Sequence, residues 1–376
     1  MDVVLLVVAL GVILGSAELF TNGIEWFGHK LDLAEGAVGS VLAAVATAMP
    51  ETLIPTIAIV GPALSGRDPQ ASHEIGVGAI LGAPFMLSTV AMFVTGAAVL
   101  AFARRGRRTE AMDVSTPVLG RDISFFVIGY AIAIGTAFLP ADPWIRWPVA
   151  ALLLGMYLYY VRLHFADERE EGDASDLNRL HATRLPGVRR GSAIEVRLLP
   201  DDADERDHLS VATHHEPRMR VIVGQVVAAM VLIVVGAQVF VGSVDRIATA
   251  ISFDRTILAL IIAPIATELP EKFNSVLWVR NGKDTLAMGN ITGAMVFQSC
   301  IPTVLGLLFT AWTFTPENAI GFASAGVAFV AVALIFGTML RTGRLSAKVL
   351  LLGGPLYLVY LWLALASPLG GAAIGA

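Results

Sequence analysis

The chain has 376 residues, of which 56% are hydrophobic and 15% charged, with a formal net charge of −5 and a mean hydropathy of +0.71. A soluble protein carries about 25% charged residues, so this composition excludes a soluble globular domain and describes a polytopic membrane protein. The acidic balance offers no basic footprint for nucleic acid, and the single cysteine, Cys300, excludes a disulfide framework.

A crossing needs about 20 apolar residues. On that basis ten helices are expected, over 3–30, 36–64, 74–103, 119–140, 144–165, 219–248, 255–280, 284–312, 317–340 and 346–367. The N-terminal run lacks the basic flank of a secretory signal and is longer than a signal core, so it reads as a retained first membrane helix. The one long polar interruption, 166–217, holds acid clusters such as Asp167-Glu168-Arg169-Glu170-Glu171 and Asp201-Asp202-Ala203-Asp204-Glu205. It lacks the ordered acid spacing of an EF-hand and reads as a solvated linker.

The expected fold is therefore an all-α polytopic membrane protein. A first five-helix repeat (1–165) and a second (218–376) flank a cytoplasmic hydrophilic loop (166–217). Five is odd, so the second set enters the membrane from the opposite side and the repeats are inverted. The segment Ala46-Thr47-Ala48-Met49-Pro50-Glu51 returns as Ala266-Thr267-Glu268-Leu269-Pro270-Glu271. The offset is 271 − 51 = 220, and it also superposes Ala17, Phe20 and Ala43 on Ala237, Phe240 and Ala263. Past the motif the offset becomes 289 − 78 = 211, where Gly78 and Gly82 meet Gly289 and Gly293. Chance among alanine-rich helices explains alanine matches but not a repeated Thr-x-x-Pro-Glu.

Arg104, Arg105, Arg107 and Arg108 follow the third helix, Arg341, Arg344 and Lys348 link the ninth and tenth, and the long loop adds more arginines. Placing these inside the cell puts both termini outside, in the cell (inner or plasma) membrane.

Pro50 and Pro270 each lack an N–H and crowd the carbonyl four residues back, that of Ala46 and of Ala266. A helix break is expected at each, lining a cavity, because orphaned carbonyls are tolerated in a membrane only there. The adjoining polar atoms are the Thr47 and Thr267 hydroxyls and the Glu51 and Glu271 carboxylates. Such oxygens are the hard donors that Ca²⁺ or Na⁺ prefers, and no histidine or cysteine accompanies them to favour zinc or copper. A structural kink with a hydrogen-bonded carboxylate is the alternative, less apt for two mirrored copies than for one. The Gly-x-x-x-Gly pairs permit close helix approach. Asn290 and Gln298 add amide oxygens on the eighth helix.

The paired motifs, the Gly-x-x-x-Gly helices after them and Gly15-Ser16-Ala17-Glu18-Leu19-Phe20 resemble the calcium/cation antiporter superfamily, the sodium/calcium exchangers and their relatives. The likeness covers about residues 10–100 and 230–310. It implies ten helices, Glu51 and Glu271 as central ion ligands, support from Thr47, Thr267 and the carbonyls of Ala46 and Ala266, and access switched by sliding of helices 1 and 6. The usual pattern is Thr-Ser-x-Pro-Glu followed by Gly-Ser-Asn-x-x-Asn or -Asp. Here Ala48, Ala83, Leu87 and Ala294 stand where hydroxyl or amide ligands are usual, Pro84 and Met295 replace asparagines, and Gln298 stands where an acid or amide is typical. The oxygens lost belong largely to sodium coordination in that family.

Glu268 precedes Lys272 by four residues, the favourable order for a helical ion pair, which is the preferred reading. The other is that the Lys272 ammonium permanently occupies a cation position. Glu18 reads either as guarding an ion pathway or as bonded to a neighbouring helix, and Glu25 and Asp245 read as interfacial.

The function expected is a secondary active antiporter, not an enzyme. It exchanges Ca²⁺ or a related cation against Na⁺ or H⁺ by alternating access, without a resident cofactor. Its partners are inorganic cations and the lipid bilayer. The alternative is a passive cation channel or uniporter using the same paired glutamates.

Overall fold

The computed structural model describes residues 1–30, 49–62, 69–167, 193–196, 212–215, 217–280, 282 and 284–367. Within them run helices α1 (Asp2–Lys30), α2 (Met49–Val60), α3 (Pro69–Arg104), α4 (Thr116–Thr136), α5 (Pro143–Asp167), α6 (Met219–Ala250), α7 (Arg255–Arg280), α8 (Asp284–Phe309), α9 (Ala319–Thr342) and α10 (Ala347–Ala366). The last is interrupted by a turn at Leu351 and Leu352. Seven of the described helices are long and apolar enough to cross a bilayer. The described first part of α7, Arg255–Ile265, is apolar, and Glu268, Glu271 and Lys272 follow it in the same helix. The polar interruption at 166–217 is not wholly irregular: β2 (Ala193–Val196) pairs antiparallel with β3 (Ala212–His215).

Prolines shape these helices without ending them. The helix was expected to break at Pro270, yet α7 runs from Arg255 to Arg280 through both Pro264 and Pro270. A proline removes one ladder bond, and neighbouring helices in the membrane re-satisfy the freed group. After Pro84, α3 widens into a π turn over Leu87–Ala91, where the Ser88 and Thr89 hydroxyls donate to the Phe85 carbonyl at 3.0 and 2.5 Å. In α8, Pro302 takes the donor from the Gln298 carbonyl, and the Thr303 hydroxyl replaces it at 3.0 Å.

The chain forms two compact units. One comprises Met1–Leu14, Ala48–His164 and Ile233–Ala376. Within it α2, α3, α7 and α8 all touch one another, with α7 packed most extensively along α3. Gly78 and Gly82 permit that contact. A Cβ on Gly78 would run into the Thr256 carbonyl, and one on Gly82 into the Leu260 carbonyl while lying 2.7 Å from Pro264 Cγ. The α8 window is 67% buried and that of α10 only 22%, so α8 is central and α10 peripheral. The other unit comprises Gly15–Thr47 and Phe165–Leu232. There Trp26 packs on Ile222, and the Gln225 amide donates to the Leu19 carbonyl at 2.8 Å and to Asn22 Oδ1 at 3.1 Å.

Polar contacts mark the two ends of the larger unit. At one end Arg108 holds Asp284 through both guanidinium nitrogens (2.7 and 2.5 Å), Lys348 meets Glu110 at 2.9 Å, and β1 (Ala111–Met112) pairs with β4 (Leu345–Ser346). These contacts join the segment that follows α3 to the start of α8 and to the α9–α10 junction. At the other end Asp2 meets Arg246 at 2.5 Å, Asp245 meets Arg255 at 2.6 Å, and Arg146 donates to the Thr310 carbonyl at 2.9 Å. The start of α1 thus lies with the end of α6. Arg108 and Lys348, from two of the connections that the sequence assigns to one side, lie at this first end; the arginines of the long loop lie outside the described residues.

Candidate ion-binding site

The α7 motif lies near the middle of its helix, Arg255–Arg280. Glu271 is nine residues from the helix end at Arg280, and at 1.5 Å per residue that is about 13–14 Å, close to half the hydrocarbon thickness of about 30 Å. Ala46 and Thr47 lie outside the described residues, as do the side chains of Glu51, Ala266, Thr267, Glu271 and Lys272. Their helices are nevertheless placed. Glu51 opens α2 and Glu271 belongs to α7, two members of the group in which every helix touches every other.

The candidates whose side chains are described fall in the same core. Glu268 is fully buried on α7, where a carboxylate is costly to place. Asn290 is half-buried on α8, and its amide reaches Ser275 Oγ on α7 at 3.5 Å. Ser275 stands four residues beyond Glu271, hence on the same helical face, and in turn donates to the Ala287 carbonyl at 3.4 Å. Ser275 was not legible as a site residue, because a lone serine in a membrane helix usually bonds its own backbone. Gln298 is buried, and its backbone carbonyl is already bonded by Thr303. Glu18 lies on α1 within Gly15–Thr47, in the smaller unit.

Four of the positions at which the sequence loses oxygen ligands are buried apolar residues; Ala48 lies outside the described residues and Ala294 is partly buried. Ala83 is 3% exposed, Leu87 and Met295 are wholly buried, and Pro84 is buried with them. The side chains of these four residues carry no oxygen for a sodium ion.

One acid escaped the sequence reading. Asp122, fully buried on α4, accepts the Thr292 hydroxyl of α8 at 2.6 Å and the Tyr160 hydroxyl of α5 at 3.1 Å. It follows Arg121 near a helix start, where adjacent charges pass for interfacial residues. Only the packing of three helices shows it to be interior.

These features have counterparts among known proteins. The family described as sodium/calcium exchanger protein matches residues 1–166 and 221–366. A protein of Alkalimonas amylolytica named "Putative antiporter CaxA" is 23% identical over 369 residues, covering 95% of this chain and 98% of that one. Among solved structures, the H⁺/Ca²⁺ exchanger CAX superposes with a TM-score of 0.67 at 13% identity, over 97% of this chain and 82% of that one. The sodium-calcium exchanger NCX_Mj, soaked with Na⁺ and Sr²⁺, superposes at 0.54 and 14% identity, over 96% and 98%. At such identities the superpositions speak for the fold, and the family match for descent. By that match, which spans most of both helical halves, the chain belongs to the sodium/calcium exchanger protein family.

Proposed function

We propose that the chain is a secondary active antiporter that moves Ca²⁺ or a related divalent cation against a monovalent counter-ion by alternating access. Its frame is ten crossings in two inverted five-helix repeats, 1–165 and 218–376, with both termini extracytoplasmic and the loop 166–217 cytoplasmic. Shared placement of the α1 start and the α6 end supports opposite directions for the two halves. Glu51 and Glu271 are the central ligands. Thr47, Thr267, the carbonyls of Ala46 and Ala266, and the side chains of Glu268, Asn290 and Gln298 complete the polar surroundings.

The observation that carries the reading is the mutual packing of α2, α3, α7 and α8, which seats both motif helices in one core. The counter-ion this site favours is H⁺. The sodium-type oxygens are replaced by buried Ala83, Pro84, Leu87 and Met295, whereas a desolvated carboxylate binds protons near neutral pH.

The test is radiolabelled calcium uptake into proteoliposomes, with sodium and pH gradients imposed separately. Uptake driven by a proton gradient and lost in Glu51→Gln and Glu271→Gln is the expected result. Uptake that persists with no opposing gradient would replace the antiporter by a passive channel.

A further inference from the structure

Asp122 lies on α4, a different helix from either motif glutamate, and is held by α4, α5 and α8 at one depth. It lies six residues inside α4, Thr292 eight inside α8, and Tyr160 seven from the end of α5. Those separations correspond to about 9, 12 and 10 Å from the arginine-rich end. A structural role common to both halves would repeat in the other one. It does not: under the offset of 211, Thr292 falls on Leu81, a fully buried apolar residue.

Hydrogen-bond accounting shows what the cluster can do. The Thr292 hydroxyl has one proton and two good acceptors, Asp122 Oδ2 at 2.6 Å and the Met288 carbonyl, one turn back in α8, at 3.1 Å. With Asp122 ionised, Thr292 donates to the carboxylate. With Asp122 protonated, its own O–H donates to Thr292 Oγ, and Thr292 turns its proton to Met288. Tyr160 donates to Oδ1 in both states. One proton is taken up, and the bonds among Asp122, Thr292, Tyr160 and Met288 accommodate either form with the heavy atoms in place. Arg121 is the neighbouring charge on α4, and α9 presents the apolar Phe329 and Val332 to this part of the core.

We propose that Asp122 is a proton-binding site, distinct from Glu51 and Glu271, whose occupancy is passed to α8 through the Thr292 hydroxyl. The α8 segment it rewires, Met288–Thr292, carries Asn290, which reaches Ser275 one turn from Glu271. The link to transport rests on the antiporter reading; the proton site itself does not.

Two measurements on the full-length protein in liposomes separate these. In infrared difference spectra between mildly acidic and alkaline buffer, a protonated-carboxyl band is expected in the parent, retained in Glu51→Gln and lost in Asp122→Asn. In calcium uptake, one linked proton contributes up to tenfold in apparent calcium affinity per pH unit. That steepness is expected to fall in Asp122→Asn, and also in Thr292→Val, which keeps the acid but removes the relay. If Asp122→Asn fails to fold, Thr292→Val and Tyr160→Phe carry the infrared test, each expected to displace the band that Glu51→Gln leaves in place. A band unaltered by changes at 122, 160 and 292, or uptake with undiminished pH steepness in Asp122→Asn and Thr292→Val, would overturn the proposal. Failure of uptake in the parent would sink the antiporter reading while the infrared result still judged Asp122.

Discussion

Replacing Gly82 by alanine tests whether close approach of α3 and α7 positions the motif helix. The added methyl would meet the Leu260 carbonyl and sit 2.7 Å from Pro264 Cγ, whereas ordinary contact begins at 3.4 Å. Backbone and a proline ring cannot swing aside as a flexible side chain does, so the helices must part by at least 3.4 − 2.7 = 0.7 Å. Overpacking of this kind costs about 1–3 kcal/mol. Alanine also gains up to about 1 kcal/mol of helix propensity over glycine, which masks part of the loss. A control removes that term: Gly326 on α9 is exposed, and a Cβ there meets nothing within 4 Å. The expected difference between Gly82→Ala and Gly326→Ala is thus the packing cost alone. Thermal unfolding of both purified variants in detergent, beside calcium uptake, reads it. Equal melting temperatures and equal uptake would refute the claim that α3 needs a glycine here.

Three further outcomes follow from buried polar bonds. Removing Arg108 leaves the Asp284 carboxylate, whose side chain is 3% exposed, with no cation among the described residues and with the Asp113 N–H at 2.9 Å, so Arg108→Ala should cost about 3 kcal/mol in detergent unfolding. The conservative Arg108→Lys should recover only part, since it cannot reproduce the two-nitrogen grip. Thr303→Val leaves the Gln298 carbonyl without the donor that compensates Pro302, at about 1–3 kcal/mol; restoring its N–H with Pro302→Ala in the same chain should recover most of that by the same assay. Trp312→Ala removes a wholly packed indole whose N–H bonds the Ala133 carbonyl at 3.0 Å, and should cost about 3–5 kcal/mol.

The helices were legible because apolar length is a strong signal, and the gathering of Arg108 and Lys348 at one end was legible because basic residues avoid translocation. Gly78 and Gly82 were readable as an approach surface, although only the structure names the Thr256 and Leu260 carbonyls they admit. Pro270 misled in one respect. A proline announces a lost donor, but whether the helix breaks depends on neighbours that single-chain reading does not see. The strand pair β2–β3 was hidden by the polar composition of its loop. Asp122, Ser275 and Thr292 were missed for a common reason: each looks local in sequence and acquires meaning only through a partner on another helix.

That distinction shows where the chemistry sits. In a membrane helix a hydroxyl can always bond the carbonyl one turn back, as Thr95 does to Ala91, Thr136 to Ile132 and Ser243 to Val239. Such bonds satisfy the residue and carry no information between helices. Those that cross are different, because each needs two helices held in register. Thr292 to Asp122 and Asn290 to Ser275 both originate on α8, the most buried of the candidate spans. They leave it toward different neighbours, α4 and α7. A helix so tied cannot shift against either neighbour without breaking a buried polar bond, whereas α10, mostly facing outward, is under no such constraint. Movement during a transport cycle must therefore either spare α8 or exchange those bonds for others, and the two acceptors available to Thr292 make the exchange at Asp122 possible without a void.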